Sequence, residues 1–313
     1  MSGALQAVYA NFRNFINNTQ KAIFGFGSDN VGVTYYSMTN LVSNTGVVAN
    51  NVTGVGTART NLAAAGYGTD KAIFGYGTSG AGVSVTNLVS NTGVVAADTA
   101  GVGTARVALA AAGYGTDKAI FGYGENGTTA VLYSMSNLVS NTGVVAADTA
   151  GVGTTRASTA AACYGKDKAI FGYGYFKLAV TNLVSNTGVV AADTAGVGPF
   201  KMALAAAGYG IDKAIFGYGE TNTVGPELSV TNLVSNTGVV ATDTAGVGSV
   251  RQYLAAAGYG IDKAIFGYGY TGAGAGSCLA MTNLVSNTGV VSTDVTGVGT
   301  ARYAPAAAGY SLS

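Results

Sequence analysis

The sequence predicts an all-β chain assembled from six copies of one four-stranded unit, and three observations carry that expectation. Glycine supplies 49 of 313 residues and is spread along the whole length; each interior glycine costs a helix about 1 kcal/mol relative to alanine. Four short elements each recur six times at spacings of 45 to 50 residues, a period that marks repeat architectures. The repeat is also cut at the chain ends, so that the first copy lacks the element with which the last copy finishes.

The elements follow one another in a fixed order. Lys-Ala-Ile-Phe-Gly begins at Lys21, Lys71, Lys118, Lys168, Lys213 and Lys263, and Asn-Leu-Val-Ser-Asn-Thr-Gly-Val-Val begins at Asn40, Asn87, Asn137, Asn182, Asn232 and Asn283. Gly-Val-Gly follows at Gly54, Gly101, Gly151, Gly196, Gly246 and Gly297, and an Ala-Ala-Ala-Gly-Tyr element closes each copy at Tyr67, Tyr114, Tyr164, Tyr209, Tyr259 and Tyr310. In the third copy, residues 109–115, 118–124, 134–140 and 143–148 read as four strands. In the second of these, Ala119, Phe121 and Tyr123 alternate with Ile120. Ser-Asn-Thr-Gly suits a tight turn closed by a left-handed glycine, and Gly-Thr-Asp-Lys suits a hairpin.

Six four-stranded units of this length imply a six-bladed β-propeller. Lys21 has no Ala-rich strand before it, and the Ala-rich segment 306–310 has nothing after it but 311–313. The expected solution is a ring closed by the C-terminal strand pairing with the N-terminal blade, which removes exposed sheet edges. Residues 21–313 then form the propeller. Residues 1–20 stand outside it, with Leu5, Val8, Tyr9, Phe12 and Ile16 at the spacing of a short amphipathic helix that either plugs one end or attaches the protein to a partner.

Composition narrows the function. The chain has no histidine and two cysteines, Cys163 and Cys278, which removes the commonest general base and leaves no zinc set or disulfide framework. Lys and Arg number 15 against 14 Asp and Glu, so nothing favours nucleic acid. No apolar run is long enough to span a bilayer, and the N-terminus does not read as a signal peptide. No cofactor, metal or catalytic residue is expected. Gly-x-Gly-x-x-Gly occurs after three of the second strands, but no helix follows to receive a phosphate. The repeated Asp98, Asp148, Asp193, Asp243 and Asp294 are expected to accept backbone hydrogen bonds in their own bend or to pair with the Arg eight residues later.

Arg59, Arg106, Arg156, Arg251 and Arg302, with Lys201 in the remaining copy, precede the Ala-rich strands, and Gly-Tyr-Gly ends most of the second strands. In these features residues 21–313 resemble kelch propellers, although the tryptophan of the kelch pattern is absent. The opening Met-Ser-Gly-Ala-Leu-Gln-Ala-Val resembles the start of virion structural proteins of tailed phages, those of cyanobacteria in particular. That resemblance implies a virion location, attachment to other virion proteins through the N-terminal segment, and membership of an oligomeric assembly.

Aligning the copies with one another shows where they diverge: between the second and third strands, and around the repeated Arg. Antiparallel alternation puts both segments on one face of the disc. That face is aromatic, with Tyr35, Tyr36, Tyr133, Tyr175, Phe176, Phe200, Tyr253, Tyr270 and Tyr303. Tyrosine gives large contact area at low entropy cost. The expected function is a non-enzymatic tail fibre or adhesin whose variable face binds a host-surface glycan. The alternatives are a structural or decoration subunit of a virion or filament, and a free-standing lectin-like propeller.

Overall fold

The structure, a computed structural model, describes residues 20–29, 34–175, 179–221, 225–272 and 277–310. Among these residues eighteen strands form six antiparallel sheets of three, and there is no helix. The helix expected within 1–20 lies outside the described residues apart from Gln20.

β1 (Lys21–Gly25) pairs with β2 (Thr39–Val42) on one side and with β18 (Ala306–Tyr310) on the other, Lys21 standing opposite Tyr310. The two ends of the chain thus share one sheet. The other five sheets are local. They comprise β3 (Ala63–Tyr67), β4 (Lys71–Gly75) and β5 (Thr86–Val89), then β6 (Ala110–Tyr114), β7 (Lys118–Gly122) and β8 (Ser136–Val139). β9 (Ala160–Tyr164), β10 (Lys168–Gly172) and β11 (Thr181–Val184) follow, then β12 (Ala205–Tyr209), β13 (Lys213–Gly217) and β14 (Thr231–Val234). β15 (Ala255–Tyr259), β16 (Lys263–Gly267) and β17 (Thr282–Val285) form the last.

The fourth strand of each unit is not formed. Residues 143–148, expected to complete the sheet, meet β8 only at the isolated bridges Val139–Val145 and Ser136–Thr149. Side chains take over where the ladder stops. Asn137 Nδ2 donates to Ala146 O at 3.0 Å and to Asp148 Oδ1 at 2.8 Å, drawing Asp148 inward and bending the segment off the sheet.

That aspartate also corrects the expected pairing. Asp98 does not join Arg106, eight residues on, but the start of its own unit. It accepts from Thr57 N at 3.0 Å and Thr57 Oγ1 at 2.5 Å and lies 3.9 Å from Arg59. Arg59 is fully buried, donates to Tyr76 O and Asn87 Oδ1, and stacks 4.3 Å from the Phe26 ring of the neighbouring sheet. Burial pulls its guanidinium down to about 10, opposed by Asp98, so it keeps its charge at neutral pH. Desolvation raises the Asp98 carboxyl, but the bonds from Thr57 and Asn87 and the Arg59 charge outweigh it and hold it below the usual carboxylate range. One copy shows the logic by exception. Pro199 replaces the threonine and has no N–H to give, and there Lys201 reaches Asp243 directly at 2.7 Å.

The core lies between the sheets rather than within any one of them. Ala110, Ala112, Tyr114 and Ile120 of one sheet pack with Ala169, Phe171 and Val184 of the next, while Ala119 and Phe121, on the other face of β7, join Ile73 and Tyr76. The central strand is therefore buried on both faces. Phe171 lies so close over Gly122 that a Cβ there would sit 2.7 Å from the ring, which explains the glycine ending that strand. The Ala-rich strands β3, β6, β9, β12, β15 and β18 are each in contact with the next, and β18 returns to β3. Their side chains must be small to allow that approach.

A second set of bonds links all six units. Asn61, Ala108, Ser158, Ala203, Tyr253 and Ala304 are equivalent positions, and all have φ between 44° and 53°. Each donates its N–H to the carbonyl of its counterpart: Asn61 to Ala304, Ala108 to Asn61, Ser158 to Ala108, Ala203 to Ser158, Tyr253 to Ala203 and Ala304 to Tyr253, at 2.8–3.3 Å. The series returns to its start. Left-handed non-glycine residues carry strain, and these shared bonds hold it.

Candidate functional site

The register fixes which segments meet. In every sheet the Ala-rich strand begins, the central strand ends and the outer strand begins at one end, while the turns lie at the other. The divergent segments are thus gathered at one end, as the alternation predicts. There the residue after Gly-Tyr-Gly bridges the residue after the repeated Arg, as in Thr60–Thr78, Met202–Glu220, Gln252–Tyr270 and Ser28–Tyr303.

A cavity of about 390 Å³ opens at this end. Its wall contains Tyr35, Tyr253, Tyr270 and Tyr303, with Thr60, Asn61, Thr78, Met202, Glu220 and Gln252 between them. Tyr303 is the hub. Tyr253 stacks on it with centroids 4.5 Å apart and 34° between planes, and Tyr270 meets it at 5.8 Å and 83°. Tyr253 is the one large side chain among the six left-handed positions, and it also lines a small opening to which residues of all six units contribute.

Four of the nine expected aromatic residues therefore share one site, and the others do not join it. Tyr36 and Tyr133 donate their N–H groups to Gly27 and Gly124, the position held by Val83, Leu228 and Leu279 elsewhere; there a large apolar side chain is part of the frame. Tyr175 bonds Ala157 O, and Phe200 is half-buried beside the repeated cation Lys201. Neither lines the cavity. Phe176 lies outside the described residues.

Glu220 and Gln252 were not among the expected site residues. Glu220 is 4% exposed, and with the Gln252 amide nitrogen turned toward it, Nε2 donates to Oε1 at 2.8 Å and to Oε2 at 3.2 Å. Its cross-strand neighbour is Glu227. Burial first, and then the Glu227 charge, push the Glu220 carboxyl up to about 7, against the Gln252 hydrogen bond. Glu220 and Glu227 thus form a carboxylate pair within one unit. A signal was present: the chain has three glutamates, Glu125, Glu220 and Glu227, and all fall in divergent segments. Among the described residues no group of three His, Cys, Asp or Glu is placed to hold a metal, and both cysteines are free.

The buried carboxyl makes stability pH-dependent. A carboxyl whose folded value is raised binds its proton more tightly in the native state. Its contribution is complete below the unfolded value, about 4.3, and is lost as pH rises through about 7. Glu125, also raised by burial, acts in the same direction. Thermal melts should therefore show a fall in stability between pH 5 and pH 8, on the order of 2 kcal/mol, and Glu220→Gln should remove most of it. An unchanged slope in that variant would refute the assignment.

Comparison with protein-family models and with curated proteins finds no match to this chain.

Proposed function

We propose that the six sheets are the blades of a six-bladed, kelch-like β-propeller closed by the β18–β1 pairing. We propose further that it is a non-enzymatic virion adhesin binding a host-surface polysaccharide at its divergent end. The observation that carries the binding reading is the cavity itself. On a frame repeated six times, the segments that diverge in length and sequence bring four tyrosines together around an opening of about 390 Å³, within the size range of small-ligand sites. Tyrosine faces stack on the apolar faces of sugars, while Thr60, Asn61, Thr78 and Gln252 offer neutral hydrogen-bonding groups.

The opposite end suits attachment. Gln20, the last residue before β1, lies there, accepting from Gly260 N at 2.8 Å. The same end carries Val47, Val94, Val144, Val189, Val239 and Val290, six equivalent valines 64–66% exposed. Equal apolar side chains at all six turns favour a protein contact, and this supports the second reading, a structural subunit of a larger assembly. The two readings assign function to opposite ends.

The double variant Tyr35→Ala, Tyr270→Ala should weaken binding to host-surface polysaccharide by at least about tenfold, or 1.4 kcal/mol, with no change in melting temperature. Unaltered binding would move the ligand elsewhere. Release of reducing ends from the bound glycan, abolished by Glu220→Gln, would replace the adhesin with a hydrolase.

A further inference from the structure

The cavity holds more than stacking surfaces. Glu220 is buried, and the groups that act on it are Glu227 across the strand and Gln252 from the next unit; no lysine or arginine contributes. Tyr253 and Tyr303, which line the same cavity, both feel its charge. A carboxylate buried beside a second carboxylate without a cation is costly. Arg59, Arg156 and Arg251 lie 3.8–3.9 Å from their aspartates and Lys201 lies 2.7 Å from Asp243, whereas the buried Arg302 is held by Asn40 Oδ1, Met38 O and the Tyr268 ring.

The second feature is the arrangement of the rings. Tyr270 and Tyr303 stand at 83° to one another, and Tyr35 lines the same opening. Tyr270 and Tyr303 meet edge to face, and an aromatic face left open to the cavity attracts a cation. We propose that the cavity takes an organic ammonium group, such as that of an amino sugar, with Glu220 as its counter-ion and Tyr35, Tyr270 and Tyr303 as its cage. This rests on the reading of the cavity as the ligand site and names the chemistry it selects. A neutral sugar would use the rings and amides but bring no counter-ion to Glu220.

Binding of a cation favours the carboxylate, so Glu220 must release its proton as the ligand enters. Affinity then rises with pH through about 7 and levels off above it, an about tenfold gain between pH 6 and pH 8.

The test is calorimetric titration of the full chain with choline, whose charge does not change with pH, and with its uncharged isostere 3,3-dimethyl-1-butanol. Choline should bind at least tenfold more tightly than the isostere at pH 8, and measurements in two buffers at pH 7 should show proton release. Glu220→Gln should abolish the preference while melting at or above the wild-type temperature at pH 8, and Tyr270→Ala should weaken choline at every pH. Equal affinity for the two probes, or a preference that survives Glu220→Gln, would overturn the proposal. If triacetylchitotriose binds and choline does not, the cation inference falls and glycan binding stands. If host-surface polysaccharide also leaves the cavity untouched, both fall.

Discussion

Deletion of residues 304–313 should abolish cooperative unfolding and produce aggregation. These residues supply β18, the partner of β1 along its whole length, so their loss leaves an open sheet edge, a template for association with other chains. They also supply Ala306, Ala308 and Tyr310 to the core shared with β4, and Ala307 to the core shared with β15. The hydrogen-bond series through the left-handed residues would be broken at Ala304, leaving Asn61 N without its acceptor. Two intersheet cores and a shared edge are lost together, more than the marginal stability of a domain can absorb. A truncated chain that melts in one transition at the wild-type temperature would disprove the pairing of the chain ends.

Arg156→Ala should be among the most damaging single substitutions of the repeated frame, lowering stability in urea by about 3–5 kcal/mol. The Arg156 guanidinium is fully buried, lies 4.0 Å from the Tyr123 ring centroid, donates to Asn182 Oδ1 at 2.6 Å and to Thr154 O at 3.2 Å, and stands 3.8 Å from Asp193. Removing it opens a void between two sheets and strands the Asn182 acceptor. Arg156→Lys should lose less, because Lys201 fills the same position in another copy and reaches both Asn232 and Asp243. Tolerance of alanine within 1 kcal/mol would show that the buried cation does not hold the two sheets together.

The six-fold period, the three paired strands and the end at which the copies diverge are legible in the sequence because each is a local pattern repeated six times. The missing fourth strand is not. Gly143 and its counterparts begin a segment that alternates like a strand, and only the side-chain bonds of Asn137 and Asp148 decide that it leaves the sheet. The partner of Asp98 is hidden for a related reason. Arg106 is nearer along the chain, but Arg59 begins the unit that Asp98 ends, and closeness in the sequence does not report closeness across a sheet.

At the site, aromatic type was readable and convergence was not. Tyr36 and Tyr133 are as aromatic as Tyr35, yet one position along the strand turns them into the frame. Glu220 carries no signal of its role within its own repeat, because the residues that share the cavity with it, Gln252 and Tyr303, come from other units. Which divergent residues face one another follows from the order of the sheets around the Ala-rich strands, and no single repeat contains it.

The central claim, that the divergent end binds its ligand in the tyrosine-lined cavity, is tested most directly at Met202. It lines that cavity, whereas Met38, Met135 and Met281 precede the outer strands β2, β8 and β17 and do not line it. With methyl-labelled methionine, NMR titration with host-surface polysaccharide fragments should move the Met202 resonance in a saturable way and leave those of Met38, Met135 and Met281 in place. Saturable binding that shifts any of these three and leaves Met202 unchanged would contradict the account.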